Sequence, residues 1–369
     1  MSRLDELIQQ YCPNGVEHKE LQAILKIKNG SDYKAYGEGD IPVYGSGGIM
    51  TYIDRYVYNK PSVLIPRKGS IDKLYYVDTP FWNVDTIFYT EINTDLAIPR
   101  YVYHCLLREH LEQYNTAGGV PSLTQKVLNK IQIPLPPLEV QSEIVRILDN
   151  FTELTAELTA ELTARKNQYE FYRDKLLTFD NVRGGATSDV VWRTLAEIAD
   201  ISTGSSNTDD AVEGGCYPFF VRSQQPLAKD EYEYDEEAII TAGDGVGVGK
   251  VFHYINGKYA LHQRAYRIHP ATDGLLGKYL YHYFVATFPK YIGQQMYQGS
   301  VPSIRRPMLN KFQVAIPSLD VQKRIVNVLD NFDAICSDLK IGLPAEIEAR
   351  QKQYEFYRDK LLTFEKVGM

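Results

Sequence analysis

The chain has 369 residues, 44% of them hydrophobic and 24% charged, and a formal net charge of -7. That is the composition of a globular protein with room for two cores, and it argues against a uniformly basic nucleic-acid binder. No apolar run reaches the roughly 18 residues of a membrane span and no leader pattern is present, while Cys12, Cys105, Cys216 and Cys336 form no C-x-x-C pair. A disulfide framework and a zinc ribbon are therefore not expected, and a cytoplasmic protein with lone thiols and no membrane partner is.

Residues 1–18 read as a short helix and lead-in that turns at Pro13-Asn14-Gly15. From Leu21 to about Pro137, strand-like runs (Ser62 to Ile65, Thr86 to Tyr89) alternate with glycine turns, and one helix fits Pro99 to Gln113. This is a mixed α/β front, assigned to residues 1–137. Pro134, Pro136 and Pro137 end it, and a helix is expected from 138 to about 179. Its apolar stripe is Leu148, Phe151, Leu154, Leu158, Leu162, Tyr169, Tyr172 and Leu176, at three- and four-residue steps. Inside it lies the tract ELTAELTAELT, Glu153 to Thr163, made mostly of strong helix formers. About 42 residues at 1.5 Å each make a rod of roughly 60 Å, far longer than a small domain needs for its own core. Residues 181–189 are a polar, glycine-containing linker. A second front, 190–318, has strand-like pieces at Ala238 to Ile240 and Tyr266 to Ile268 and a helix fitting Gly277 to Phe288. A closing helix, 319–366, carries Val321, Ile325, Leu329, Phe332 and Ile335 on one stripe. Gly342-Leu343-Pro344 should interrupt it near 341–344 before it resumes through Tyr354, Tyr357 and Leu361.

The two halves are copies. Gln168 to Phe179 and Gln353 to Phe364 both read QYEFYRDKLLTF, 185 positions apart. Leu138 to Phe151 (LEVQSEIVRILDNF) returns as Leu319 to Phe332 (LDVQKRIVNVLDNF), and Val120 to Leu123 as Val301 to Ile304. The fronts share only fragments, such as Leu21, Ile24, Ile27 and Gly30 against Leu195, Ile198, Ile201 and Gly204. A period near 180 residues is a duplicated domain-plus-helix, not a solenoid. Copies within one chain usually relate by a pseudo-two-fold axis, so the long helices are expected to pair antiparallel and hold the fronts at opposite ends. The fold class expected is α+β: two mixed α/β domains separated by two long helices in an antiparallel coiled coil. A long partner met at two places suits this plan, and duplex DNA, whose half-sites on one face lie about 34 Å apart, is one. The charge does not forbid it: residues 138–180 carry -4 (5 basic, 9 acidic) and 319–369 carry -1 (8 and 9), leaving each front at only -1.

Gly243 to Lys250 (GDGVGVGK) invites a nucleotide-loop reading and misses it on spacing. A P-loop needs glycine at 244 and Ser or Thr at 251, where Asp244 and Val251 stand. A glycine turn or a close backbone approach to DNA remains. The segments with base- or phosphate-binding chemistry are Tyr44-Gly45-Ser46, Arg67-Lys68 with Ser70, Arg222-Ser223-Gln224-Gln225, His262-Gln263-Arg264, Gln298 with Ser300, and Arg305-Arg306. Arginine can grip guanine with two hydrogen bonds, glutamine can pair with adenine, and Ser and Lys hold phosphates. Taken singly, each also fits a solvated surface; the two-headed plan is what nominates them. The seven histidines show no metal spacing, and no catalytic grouping is expected.

The LEVQ…IV…LDNF run, the TAEL repeats from Thr155 to Leu162 and the QYEFYRDKLLTF helix ends resemble the specificity subunit of type I restriction–modification enzymes over essentially the whole chain. The resemblance implies two target recognition domains, each reading half of a bipartite, asymmetric site in double-stranded DNA. It implies repeat helices that dock two methyltransferase subunits, with restriction subunits joining through them. S-adenosylmethionine would belong to the methyltransferase subunits, ATP and Mg2+ to the restriction subunits, and no cofactor or catalysis to this chain. Phe151, Leu154, Leu158, Leu162, Tyr169, Tyr172, Leu176, Phe332, Ile335, Tyr354, Tyr357 and Leu361 would serve helix packing or docking. In the family the TAEL copy number is associated with spacer length; four more helical residues would lengthen a rod by about 6 Å and turn it about 40°. A coiled-coil adaptor with no DNA role, and a free-standing methyltransferase or nuclease, are the competing readings.

Overall fold

The computed structural model describes residues 2–115, 118–179, 190–294, 302–337 and 341–367. The linker expected at 181–189 and the candidates Gln298 and Ser300 lie outside these residues. The chain divides into two compact units, Met1–Thr159 with Glu346–Met369, and Ala160–Ala345.

In the first unit, four strands pair antiparallel in the order Leu25–Lys28, Ile87–Ile92, Ser62–Pro66, Tyr75–Val77. Beside them Gly48–Ile53 pairs with Ile41–Gly45, which pairs parallel with Trp82–Asn83. The second unit joins six strands into one sheet, in the order Ala199–Thr203, Ala265–Pro270, Tyr234–Ala242, Phe252–Leu261, Tyr217–Phe220, Leu227–Lys229. Here too one pair is parallel: Tyr217–Phe220 against Phe252–Leu261. A small two-stranded sheet ties the start of each front to its end, His18–Glu20 with Gln132–Pro134 and Val191–Thr194 with Gln313–Ile316.

Two front helices differ from expectation. Pro99–Arg108 stops short of Gln113, because His110 turns left-handed (φ 46°) and Leu111–Tyr114 continues as a 3-10 turn. Gly277–Gly293 passes Phe288 and runs through Pro289. Phe284, Phe288 and Ile292 on that turn are buried, and Phe284 and Phe288 both meet Phe312 edge-on. Their packing outweighs the backbone hydrogen bond that proline forfeits.

Leu138–Leu177 is one helix of 40 residues, contributing its first part to the first unit and its last part to the second. The TAEL tract has no Gly or Pro, and the Thr155 and Thr159 hydroxyls donate back to Phe151 O and Thr155 O, both at 2.8 Å. The second long segment is two helices, Leu319–Ser337 and Leu343–Leu361, with Pro344 in the first turn of the latter where its missing N–H costs nothing.

The repeated helices are locked to their fronts by buried polar residues. Gln141 is fully buried; its Oε1 accepts from Ile98 N–H (2.9 Å), and its Nε2 donates to Leu96 O (2.9 Å) and Pro136 O (2.7 Å). Gln322 does the same with Leu276 N–H (2.9 Å), Gly274 O and Pro317 O (both 2.8 Å). Val321, expected on the stripe, is accordingly exposed, and so is Ile335. The buried row is Gln322, Ile325, Leu329 and Cys336, with Phe332 half-buried, so Cys336 takes the place expected of Ile335.

The repeated helix ends close the cores. Tyr354 and Leu362 sit in the core of the first unit, and Leu177 in that of the second. Phe151 stacks on Tyr357 at 5.2 Å and Phe332 on Tyr172 at 5.9 Å, so each LDNF phenylalanine meets a tyrosine of the other copy's QYEFY. In the second unit the two helices run antiparallel: the charges of Lys166 and Arg165 reach Cys336, while Tyr169 and Tyr172 lie against Phe332. Leu154, Leu158, Leu162, Leu176 and Leu361 are half-buried.

Candidate nucleic-acid interface

The Val-Pro-Ser turns show how the nominated loops are held. In the first unit Arg67 N–H donates to Thr86 O (2.8 Å), Leu123 N–H to Arg67 O (2.9 Å) and Gly69 N–H to Pro121 O (3.0 Å). In the second, Gly243 N–H donates to Arg264 O (2.8 Å), Ile304 N–H to Gly243 O (2.7 Å) and Gly245 N–H to Pro302 O (2.9 Å). Val84 N–H to Tyr44 O and His262 N–H to Phe220 O, both 2.9 Å, extend the match across the parallel strands. The two fronts therefore share one backbone scaffold. Along it Ser46 corresponds to Arg222, Lys68 to Asp244, and Thr86 to Arg264.

The side chains on that scaffold differ. In the second unit Asp244 binds both arginines, Arg222 Nη1 to Oδ1 at 2.7 Å and Arg264 Nη1 to Oδ2 at 3.3 Å. Arg222 and Arg264 have 40% and 60% of their side chains exposed, Asp244 27%. Burial alone would raise the Asp244 carboxyl; the bond and charge of Arg222 and the charge of Arg264 outweigh it and hold it below its ordinary value. His262 is buried beneath them, and its Nδ1 accepts from Arg264 N–H at 2.9 Å. Burial, then the charges of Arg222 and Arg264, lower its pKa, in keeping with an accepting, neutral ring. Gly247 lies so close to Arg222 that a Cβ would stand 2.4 Å from its carbonyl oxygen, which is what brings the Asp244 loop against the Arg222 strand end.

In the first unit the corresponding contact is neutral: Ser46 N–H donates to Thr86 Oγ1 at 3.4 Å. Tyr75 OH donates to Ser46 O at 3.2 Å, Ser46 Oγ lies 3.5 Å from where a Gly69 Cβ would stand, and Lys68 is exposed. Thus Tyr44-Gly45-Ser46 and Arg67-Lys68 meet in space. Gly45 is buried, the Tyr44 ring packs between Tyr75 and Phe81, and the Arg67 guanidinium lies over Phe88. Ser70 O accepts from Lys73 N–H at 3.2 Å.

The other candidates spread around the second cluster. Ser223 Oγ donates to Gln225 O at 2.6 Å, Gln224 is exposed, and the Gln263 amide bonds Asn207 Oδ1. Ser303 bridges to Asp244 and leads to the exposed Arg305 and Arg306; the charge of Arg306 reaches Asp200. Thr86 and Asp244 were not among the nominated residues. Asp244 stood in view in the GDGVGVGK run, and only its partners reveal its place. Val246, at 90% exposure, is the outermost apolar residue of that loop.

Among the described residues no group of three or more His, Cys, Asp or Glu could hold a metal, and no helix is long and apolar enough to cross a membrane. Cys12, Cys105 and Cys336 are buried free thiols, and Cys216 is exposed.

Comparison with known proteins bears on what this interface is for. The sequence profile of the type I restriction modification DNA specificity domain matches residues 13–165 and again 187–349. A Haemophilus influenzae chain that bears the name putative type I restriction enzyme specificity subunit is 31% identical over 95% of this chain and 96% of its own. A type I restriction enzyme specificity subunit of Escherichia coli is 34% identical over 75% of this chain and 74% of its own. In fold, the chain is similar to the crystal structure of an S subunit of a type I restriction–modification system from M. genitalium, with TM-score 0.65 at 16% identity, covering 94% of this chain and 96% of that one. A chain from a structure of type I restriction–modification complex assembly superposes with TM-score 0.59 at 17% identity, covering 95% and 98%.

Proposed function

Since the chain belongs to the type I restriction modification DNA specificity family, we propose that each unit reads one half of a bipartite, asymmetric site in double-stranded DNA. The observation that carries this reading is the pairing of one backbone scaffold with two sets of side chains. Ser46, Lys68 and Thr86 in one unit stand where Arg222, Asp244 and Arg264 stand in the other. A duplicated fold that kept its loop hydrogen bonds and changed what the loops display suits two different half-sites, because base edges are told apart by donor and acceptor pattern. The repeat helices supply a surface repeated within the chain: Phe171 and Phe356, at 61% and 63% exposure, occupy the same place in QYEFYRDKLLTF and meet Tyr172 and Tyr357 edge-on, both at 5.4 Å. Two identical surfaces suit two copies of one partner, the adenine-methylating subunit with its S-adenosylmethionine, through which ATP- and Mg2+-dependent restriction subunits would join. This chain would supply no catalytic group.

The test is to assemble the chain with its methyltransferase subunits and sequence the modified DNA. A split motif with a fixed spacer is expected. Methylation without sequence preference would overturn the reading. If exchanging the second unit's loops left the motif unchanged, the adaptor reading would stand instead.

A further inference from the structure

We propose that Arg222 and Arg264 read guanine in the half-site of the second unit, and that Asp244 is the positioning residue that aims them at a base edge and away from phosphates. The proposal rests on the DNA-reading function above and names the base chemistry of one half-site.

An exposed arginine on a DNA-binding face has two easy targets. It can meet a phosphate, which carries no sequence information, or it can grip the O6 and N7 acceptors of guanine, the commonest specific contact. Which one wins depends on how the guanidinium is held and on the charge around it. Here each arginine gives one Nη1 to a separate oxygen of the same carboxylate. The remaining guanidinium N–H groups of both, which have no hydrogen-bond partner among the described residues, form two donor edges fixed to one anchor. Three charged groups sum to +1, so the cluster attracts DNA weakly. A phosphate docking there would bring its negative charge beside Asp244, whereas the neutral guanine edge brings none. An acidic residue between two arginines thus penalises the unspecific contact more than the specific one.

The anchor is itself fixed. Asp244 lies between Gly243, whose N–H and C=O are both bonded, and Gly245, whose N–H donates to Pro302 O. The backbone N–H of Arg264 is held by His262 Nδ1. Holding the donors in place before DNA arrives lowers the ordering cost of binding. The first unit has Ser46, Lys68 and Thr86 at these places, so its half-site gains no such demand for guanine.

The test uses the full chain assembled with its methyltransferase subunits and duplexes in which each base pair of the site is replaced in turn. The wild-type complex should reject replacement of at least one G·C pair in one half-site by about tenfold or more. Arg264→Gln and Arg222→Gln should each abolish most of that discrimination. The other half-site, still read as in the wild type, reports that the molecule is folded. Asp244→Asn should reduce the same discrimination severalfold while raising affinity for unrelated duplex, since one negative charge is gone; a merely structural loss would lower both. If the arginine variants weaken binding to all sequences alike and reduce the salt slope by about one, the arginines hold phosphates and the proposal fails. It also fails if the altered base pair is not G·C, or if no base preference changes. A wild-type complex with no sequence preference would sink the functional reading itself.

Discussion

At three corresponding places the first unit has a serine, a lysine and a threonine and the second an arginine, an aspartate and an arginine, on backbones that share four matched hydrogen bonds. Behind those loops the side chains agree as well. Tyr101 OH donates to Pro134 O at 3.0 Å and Tyr279 OH to Ala315 O at 2.6 Å. Arg100 and His104 both bond Asp149, as Lys278 and His282 both bond Asp330. The loops differ in what they display, while these polar contacts that set the helices against the fronts are kept. One scaffold can therefore change its reading while the seat of its long helices is kept.

If the scaffold is shared in energy as well as geometry, matched substitutions should cost the same in both units. The largest loss is expected at the matched glycines. A Cβ on Gly204 would stand 1.9 Å from Leu261 O, and one on Gly30 2.1 Å from Val84 O. Gly204→Ala and Gly30→Ala should each cost about 3 kcal/mol, because the obstacle is backbone with no rotamer to yield. Next come the buried glutamines. Gln322→Leu and Gln141→Leu would each leave three backbone groups without their partner, one of them in a fully buried bond, for about 2 kcal/mol. Urea unfolding of the four variants checks both pairs. A twofold or greater asymmetry within either pair would show that the common backbone is not a common source of stability.

These glutamines also mark where the sequence was and was not legible. Periodicity placed the long helix, the break at Gly342-Leu343-Pro344 and the strands at Ser62–Pro66 and Tyr234–Ala242, since apolar spacing and proline act locally. It chose Val321 and Ile335 over Gln322 and Cys336, because a hydrophobicity count passes over a glutamine that is buried to bond loop backbone. Gly30 and Gly204 matched in the sequence with no visible reason; the reason is a carbonyl more than 50 residues further along the chain. Asp244 was hidden likewise, since its partners come from 22 residues before and 20 after it, through strand pairing that no spacing rule anticipates.

A pH change should strike both units in one direction. His104 and His282 are lowered from the ordinary histidine value, first by burial, against the opposing pull of Asp149 and Asp330. The unfolded chain takes up protons on these rings below about pH 6.5, and the folded chain resists doing so. Stability is thus unaffected well above that pH and falls as pH drops, by up to about 1.4 kcal/mol per pH unit for each ring. Burial acts the same way on His18, His253 and His262. The urea midpoint should therefore fall between pH 7.5 and 5.5, and His104→Asn with His282→Asn should reduce the fall without removing it. A midpoint unchanged over that range would contradict the neutral assignment of the buried rings.

The finest separation lies on the far side of the same histidines. His104 Nδ1 accepts from Tyr354 OH at 3.0 Å, with Tyr354 only 5% exposed. The matching His282 Nδ1 is buried with no hydrogen-bond partner among the described residues, and Tyr169, the counterpart of Tyr354, packs its ring against Phe332 instead. The two copies of QYEFYRDKLLTF are identical, so this difference comes from the surfaces they meet. Tyr354→Phe would leave a buried acceptor unpaired and should cost about 1 kcal/mol. Tyr169→Phe removes a hydroxyl that His282 does not use and should cost less than about 0.5 kcal/mol. Equal losses would mean that Tyr169 reaches His282 in solution and that the two cores close alike. Unequal losses would place the divergence of the units one layer deeper than their DNA-facing loops, at the seat of the repeated helix ends.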